Sequence, residues 1–396
     1  MISVGIDVSK GKSTVCIMKP CGEILESPFD IGHTADELDS LISLIKSFDE
    51  ETRVVMEDTG HYHLPVATYL SSHNIFVCCV NALRMKKFCS QSIRRAKTDK
   101  IDSIKIASFG ITYWNELVKA YPSDVIYDEL KFLARQYYQV TGMLVKSKVN
   151  FSNLLDQVMP KINDVLSNQG ENHKLTEFVS RYIHFQNILD MGERKFTSDY
   201  CKWAKKKGYR LNERKAAEIL ALAQNGIPTL PNSQSVKIAV SEAVKLIHSI
   251  EESRNTILAQ MQDLCNTLPE YSVVKEMDCI GDTLAPRIIA EIGDVRRFKN
   301  KHSLVAYAGI DAPPYQSGAF HSSERHISKR GNSYLRKTGY EIMQSLIKHK
   351  PADNAVYDFI QKKRSEGKCG KEAMIAGLNK FLRVYYGKVM EFYSEH

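Results

Sequence analysis

Asp7, Glu57, Asp99 and Asp102 are the residues of this 396-residue chain whose types and spacing could do chemistry. Cutting a phosphodiester with two bound metal ions needs several carboxylates converging on one point, the metals standing ~3.5–4 Å apart. Magnesium takes hard oxygen ligands, so Asp and Glu are the expected residues. Each acid alone has an ordinary explanation. Asp7 could be a turn residue after Ile-Gly-Ile, Glu57-Asp58 a helix cap, and Asp99 a first-turn acid opposing a helix dipole. Position sets them apart. Asp7 closes an alternating strand from Ile2, and Glu57 closes a strand from Thr52. Asp99 and Asp102 are three apart, which on a helix gives them a common face.

A second candidate is Ser317, in Pro313-Pro314-Tyr315-Gln316-Ser317-Gly318. The prolines and glycine put it on an exposed loop. A serine hydroxyl is a weak nucleophile until something activates it. No Gly-x-Ser-x-Gly elbow surrounds it, which argues against an α/β-hydrolase. Other chemistries find less support. Nine cysteines are scattered without Cys-x-x-Cys, and Cys78-Cys79 lies in an apolar run that reads as strand core. His61-Tyr62-His63 lacks companions at zinc-site spacing.

The elements that must position these residues follow from periodicity. Strands are expected at Ile2 to Asp7, Ser13 to Met18 and Ile24 to Phe29, an antiparallel meander. Thr34-x-x-Glu37 is a capping-box signal opening a helix to Ser47. A strand to Glu57, a helix from His61, a strand from Ile75 to Val80, a helix from Asn81 and another from Thr98 to Phe109 complete the order βββαβαβα. That is a mixed sheet with packed helices. Two strand ends and one helix face meeting at its rim is the layout of the ribonuclease H fold. From Asp124 to Leu268 long helical stretches dominate, notably Asp128 to Leu155 and Ser233 to Leu268, read as a helical hairpin or coiled-coil arm with a plain bundle as the alternative. A block from Met191 to Leu230 interrupts them, including Lys205-Lys206-Lys207. Ile280 to Asp294 resembles a helix-hairpin-helix element whose glycine turn could offer N–H groups to a phosphate. The fold class is therefore α/β plus α, in domains 1–123, 124–268 and 269–396.

Charge points the same way. The net charge of +8 is concentrated: residues 81–112 carry +6 and residues 315–350 carry +5, leaving the remainder at −3. Focused positive charge beside the acids and the serine suits a phosphate backbone. Arg84, Lys86, Lys87, Arg94, Arg95, Lys97, Lys100, Arg325, Lys329, Arg330, Arg336 and Lys337 are the candidate nucleic-acid contacts. No apolar run approaches the ~20 residues of a membrane helix, and the N-terminus lacks signal-peptide character. A cytoplasmic protein is expected.

The spacings of 50, 42 and 3 between the acids, together with Val4-Gly5-Ile6-Asp7-Val8-Ser9-Lys10 and Lys97-Thr98-Asp99-x-x-Asp102, resemble the DEDD-type transposases of the insertion sequence 110 family. Gly281 to about Lys350 resembles the family's second domain, through Val305-Ala306-Tyr307-Ala308-Gly309-Ile310 and Ile327-Ser328-Lys329-Arg330-Gly331-Asn332. The helical middle matches only in character. The resemblance implies a RuvC-like domain, a coiled-coil insertion and a C-terminal transposase domain. It implies DNA recombination guided by a structured bridge RNA that pairs with target and donor DNA. It gives Asp7, Glu57, Asp99 and Asp102 two magnesium ions to hold, and Ser317 the role of nucleophile forming a phosphoserine with DNA. It further implies tetramers in which acids and serine come from different subunits. Pro313-Pro314-Tyr315 before the serine and Ala319-Phe320-His321 after it are less polar than the family often has, which bears on the serine's surroundings. The competing readings are a DNA invertase of the same DEDD group, a Holliday-junction-type nuclease using the acids alone, and a non-enzymatic nucleic-acid binder.

Overall fold

The computed structural model describes residues 1–58, 60–90, 98–119, 125–168, 172–210, 212–313 and 326–395, with backbone alone at 316, 317, 320 and 321. The chain divides into two compact units, Met1–Ser123 and Asp124–His396.

The first unit follows its hydrophobic patterning. Its elements are β1 (Ile2–Val8), β2 (Lys12–Met18), β3 (Ile24–Gly32), α1 (Ala35–Lys46), β4 (Thr52–Asp58), α2 (His63–Ser72), β5 (Phe76–Asn81), α3 (Ala82–Cys89) and α4 (Asp99–Thr112). The five strands form one sheet in the order β3-β2-β1-β4-β5. β1, β2 and β3 pair antiparallel, while β4 and β5 run parallel to β1. Side chains alternate between faces along a strand. One face buries Val4, Ile6, Val15, Ile17, Val54, Met56 and Val77 against Leu38, Leu41 and Ile42 of α1 and Val66 and Leu70 of α2. The other buries Val55, Cys78 and Val80 against Met85 of α3 and Ile106 and Phe109 of α4. The expected capping box at Thr34 takes a different form. Thr34 makes no side-chain cap bond. The Glu37 carboxylate accepts from the Gly32 N–H at 2.5 Å, because the end of β3 offers a nearer donor.

The second unit is helical. α5 (Val125–Val158) is followed by α6 (Ile162–Val165), α7 (Lys174–Tyr182), α8 (Phe185–Met191), α9 (Glu193–Lys206), α10 (Glu213–Asn225) and α11 (Gln234–Cys265). Then come α12 (Tyr271–Lys275), α13 (Leu284–Ile292), α14 (Lys301–Ala308), the two-residue strands β6 (Gln316–Ser317) and β7 (Phe320–His321), α15 (Ser333–His349), α16 (Ala355–Ser365) and α17 (Gly370–Glu395). α5 and α11 lie against each other and run antiparallel. Their near ends, Tyr127 to Tyr138 and Met261 to Cys265, enter the core built by α12 to α17. Their far ends, Leu144 to Val158 and Val236 to Ile250, share a separate core with α6 to α10. The Met191 to Leu230 block thus packs on the far end of the hairpin. Residues 276–283, including Gly281, form the turn between α12 and α13. Among the described residues no helix is long and apolar enough to cross a membrane.

Candidate functional site

Strand register sets a polar row across the sheet. β1 and β4 pair Ile6 with Met56, so Asp7 and Glu57 are the next residues along neighbouring strands. β1 and β2 pair Asp7 with Thr14, and β2 and β3 pair Thr14 with Asp30. Partners in register share a face. The row therefore reads Asp30, Thr14, Asp7, Glu57, on the face that α4 covers.

α4 is held unusually close to that face. A Cβ on Gly5 would stand 2.2 Å from the Ala107 backbone nitrogen and 2.4 Å from the Ser103 carbonyl oxygen. A Cβ on Gly110 would meet Ser3 Oγ at 2.1 Å. Only glycine allows backbones to approach this far. Gly110 thus lies over Ser3, and Ser103 to Ala107 over Gly5, so α4 runs antiparallel to β1. Its first turn, with Asp99 and Asp102, lies toward the Asp7 end of the strand. Thr98 starts that turn, its Oγ1 accepting from the Ile101 N–H at 3.2 Å. Both acids sit in the first turn, where they also complement the helix dipole.

The electrostatics agree. Cys89, at the end of α3, has its thiol pushed up by burial; nearby Lys105 opposes the rise, and the negative charges of Asp102, Glu57 and Asp7 add to it. One thiol therefore feels acids from β1, β4 and α4 together. Lys105 Nζ lies 3.8 Å from Asp102, both side chains being 23% exposed. At the far end of the row, Thr14 Oγ1 donates to Asp30 at 2.7 Å and Lys12 Nζ donates at 3.4 Å. Those bonds, with the charges of Lys12 and Lys100, hold the Asp30 carboxyl below the usual range.

Asp7, Glu57 and Asp102 are half-buried, and Asp99 is exposed. Among the described residues no three His, Cys, Asp or Glu side chains are gathered closely enough to hold one ion. Asp7, Glu57, Asp99 and Asp102 offer carboxylate oxygen throughout, the donor type magnesium takes, from two strand ends and one helix turn that face one another across the sheet.

Of the basic candidates, Lys86, Lys87, Lys100, Lys329, Arg330 and Lys337 are exposed. Arg84 pairs with Glu116 and lies over the Phe109 and Tyr113 rings. Arg336 donates to the Ala308 carbonyl at 2.9 Å and the Gly331 carbonyl at 3.2 Å. Arg94, Arg95, Lys97 and Arg325 lie outside the described residues, as does the side chain of Ser317. The Ser317 backbone pairs with Phe320 in the β6–β7 ladder of the second unit. Sequence reasoning passed over Thr14, Asp30, Cys89 and the Lys105–Asp102 pair. The signal for the first two was a polar residue on each of the neighbouring strands, legible once the register was known.

A sheet of this order and direction, with acids at the ends of β1 and β4 and in the helix that crosses them, defines the ribonuclease H-like class. Residues 4–160 match the DEDD transposase model of IS110, and residues 271–358 match the transposase model of the IS116/IS110/IS902 family. The chain belongs to this family of insertion-sequence transposases, DNA-recombining enzymes. It is 22% identical over 299 residues to the 43.6 kDa protein of insertion element IS110 from Streptomyces coelicolor, covering 76% of this chain and 72% of that protein. It is 26% identical over 136 residues to the pilin gene-inverting protein of Moraxella bovis, covering 33% of this chain and 42% of that protein. Among solved structures it is similar to RuvC of Thermus thermophilus, with 12% identity, a TM-score of 0.24, and coverage of 29% of this chain and 96% of that one.

Proposed function

We propose that this chain is an RNA-guided DNA transposase in which Asp7, Glu57, Asp99 and Asp102 hold two magnesium ions and Ser317 is the nucleophile. The observation that carries the metal assignment is the row itself: Asp7 and Glu57 are next to each other in register, under the first turn of α4. When bound, the metals would supply charge stabilisation at the attacking and leaving oxygens. The four carboxylates' own work would be to hold those ions, and the exposed lysines and arginines would hold the phosphate backbone. The Ser317 hydroxyl gives up its proton as its oxygen bonds to phosphorus, the phosphate–oxygen bond to the leaving strand breaks, and the departing oxygen takes up a proton, so the step balances. The phosphoserine conserves the bond for rejoining, when a hydroxyl of another strand displaces the serine.

Within this reading, residues 1–123 are the metal-holding domain, 124–268 the helical arm and 269–396 the serine-bearing domain. Acids and serine come from different copies in a tetramer. Lys86, Lys87 and Lys100, with Lys329, Arg330 and Lys337, carry phosphate contacts to RNA or DNA. Guide pairing would supply sequence specificity, leaving the protein to read shape and backbone. A DNA invertase of the same group is the second reading, favoured by the similarity to a pilin gene-inverting protein. The discriminating experiment sequences the RNA that copurifies with the protein. A discrete structured species from beside the gene supports guided transposition; its absence, with inversion of a flanking cassette, supports the invertase. Asp7→Ala is expected to abolish magnesium-dependent strand cutting, and full activity in that variant would remove the metal assignment.

A further inference from the structure

Glu291, on α13, is a buried acid that the proposed chemistry leaves unused. Its side chain is 0% exposed. One carboxylate oxygen accepts from Arg135 Nη2 at 3.1 Å and from Asn332 Nδ2 at 2.7 Å. The other, Oε1, is buried without a hydrogen-bond partner among the described residues, and so is Arg135 Nη1. Burial pushes the carboxyl up, while the bond from Asn332 and the charge of Arg135 oppose the rise. An apolar residue of similar volume at such a position is often neutral or stabilising. An incompletely satisfied buried acid therefore calls for a purpose other than stability.

Its partner supplies one. Asn332 caps α15, its Oδ1 accepting from the Tyr334 N–H at 3.0 Å and the Leu335 N–H at 3.1 Å. Its backbone N–H donates to the Tyr307 carbonyl at 2.7 Å. Alongside, the Lys329 N–H donates to the Gly309 carbonyl at 3.0 Å and the Ser328 N–H to the Asp311 carbonyl at 2.8 Å. A Cβ on Gly331 would stand 2.3 Å from the Tyr307 carbonyl oxygen, so these two segments touch backbone to backbone. Residues 307–311 and 328–332 thus close the neck of the segment that carries Ser317. Glu291 stands behind the neck and grips the residue where it joins α15.

We propose that Glu291 is a positioning residue for the Ser317 segment. Through Asn332 it fixes the end of α14 and the start of α15 to α13, and so fixes the two described segments, 307–311 and 328–332, between which Ser317 lies in sequence. This rests on the reading of Ser317 as nucleophile.

The test uses the full-length protein with its copurified RNA, magnesium and a duplex carrying the element's ends. It reads the rate of covalent protein–DNA joining at saturating DNA, and the half-saturating DNA concentration. Asn332→Asp keeps the capping oxygen but removes the donor to Glu291. It is expected to slow joining about tenfold at saturation, the equivalent of one charge-assisted hydrogen bond, with half-saturation unchanged. Adding Glu291→Gln reverses the bond's direction, because the new amide donates to the new carboxylate while its carbonyl still accepts from Arg135. The double variant is expected to recover to within about threefold of wild type. A single variant at the wild-type rate, or a double variant as slow as the single, would overturn the proposal. Should Asn332→Asp fail to fold, Glu291→Leu decides: slow joining in a folded protein supports the role, and the wild-type rate removes it. Wild-type protein that never joins DNA would instead remove the Ser317 reading.

Discussion

Replacing Gly5 with alanine adds one methyl group to β1, and its consequences can be worked through. The new carbon would stand 2.2 Å from the Ala107 nitrogen, 2.4 Å from the Ser103 oxygen and 2.8 Å from the Ala107 Cα. All three are backbone atoms, so no side chain can rotate away. Reaching an ordinary contact of 3.4 Å requires α4 and β1 to separate by roughly 1 Å. Overpacking of this kind costs about 1–3 kcal/mol. α4 carries Asp99 and Asp102, so the same displacement moves those carboxylates away from Asp7 and Glu57. A misplacement of about 1 Å can lower a catalytic rate about a hundredfold. Gly110→Ala is the matched control. Its new carbon meets Ser3 Oγ at 2.1 Å and Val55 Cγ2 at 2.9 Å, which are side-chain atoms at the opposite end of α4 from the acids. The assay is magnesium-dependent cutting at saturating metal and DNA, beside urea unfolding of both variants. Gly5→Ala is expected to lose about a hundredfold in rate, and Gly110→Ala to be destabilised but lose far less. Equal losses in the two folded variants would refute the placement of α4's first turn over Asp7.

Three further outcomes are expected. Changing Lys86, Lys87 and Lys100 together to Gln should flatten the dependence of log affinity on log salt by about 0.9 for each duplex phosphate that is no longer neutralised; an unchanged slope would take these lysines out of the interface. Glu291 has a folded-state carboxyl raised above its ordinary 4.5 by burial. Its contribution to stability is therefore fully present below that value and is lost as pH rises through the folded-state value. Glu291→Gln should accordingly gain stability relative to wild type as pH rises through that window, read from urea midpoints at several pH values; a constant difference would contradict it. Tyr200 is buried in the far helical core, its hydroxyl without a partner among the described residues, so Tyr200→Phe should leave the thermal midpoint unchanged or raise it by the equivalent of up to about 1 kcal/mol, and a clear drop would show a bond to that hydroxyl.

The strands of the first unit were legible because their alternation is strict. Ile2, Val4 and Ile6 enter one core while Gly5 and Asp7 take the α4 face. The acids could be found by their places at element ends. What sequence could not supply was register. Thr14 and Asp30 join the row only because β2 and β3 pair as they do, including an irregularity between Val15 and Ile17. Gly5 and Gly110 read as weak strand and helix formers, yet they set the distance between α4 and the sheet. In the second unit the long helices were visible in their apolar spacing. The division of α5 and α11 between two cores was not, because each helix keeps one periodicity along its whole length. Charge counting found Arg84 and Arg336 but could not see that Glu116 and two backbone carbonyls already engage them.

The most direct test is to trap the protein on DNA carrying the element's ends, in magnesium and with its copurified RNA, and to identify the attached residue by peptide mass spectrometry. The expected result is a nucleotide on Ser317 that disappears in Asp7→Ala. Cut strands with no nucleotide on any residue would contradict Ser317 as the nucleophile, and an adduct that persists without Asp7 would contradict the metal assignment.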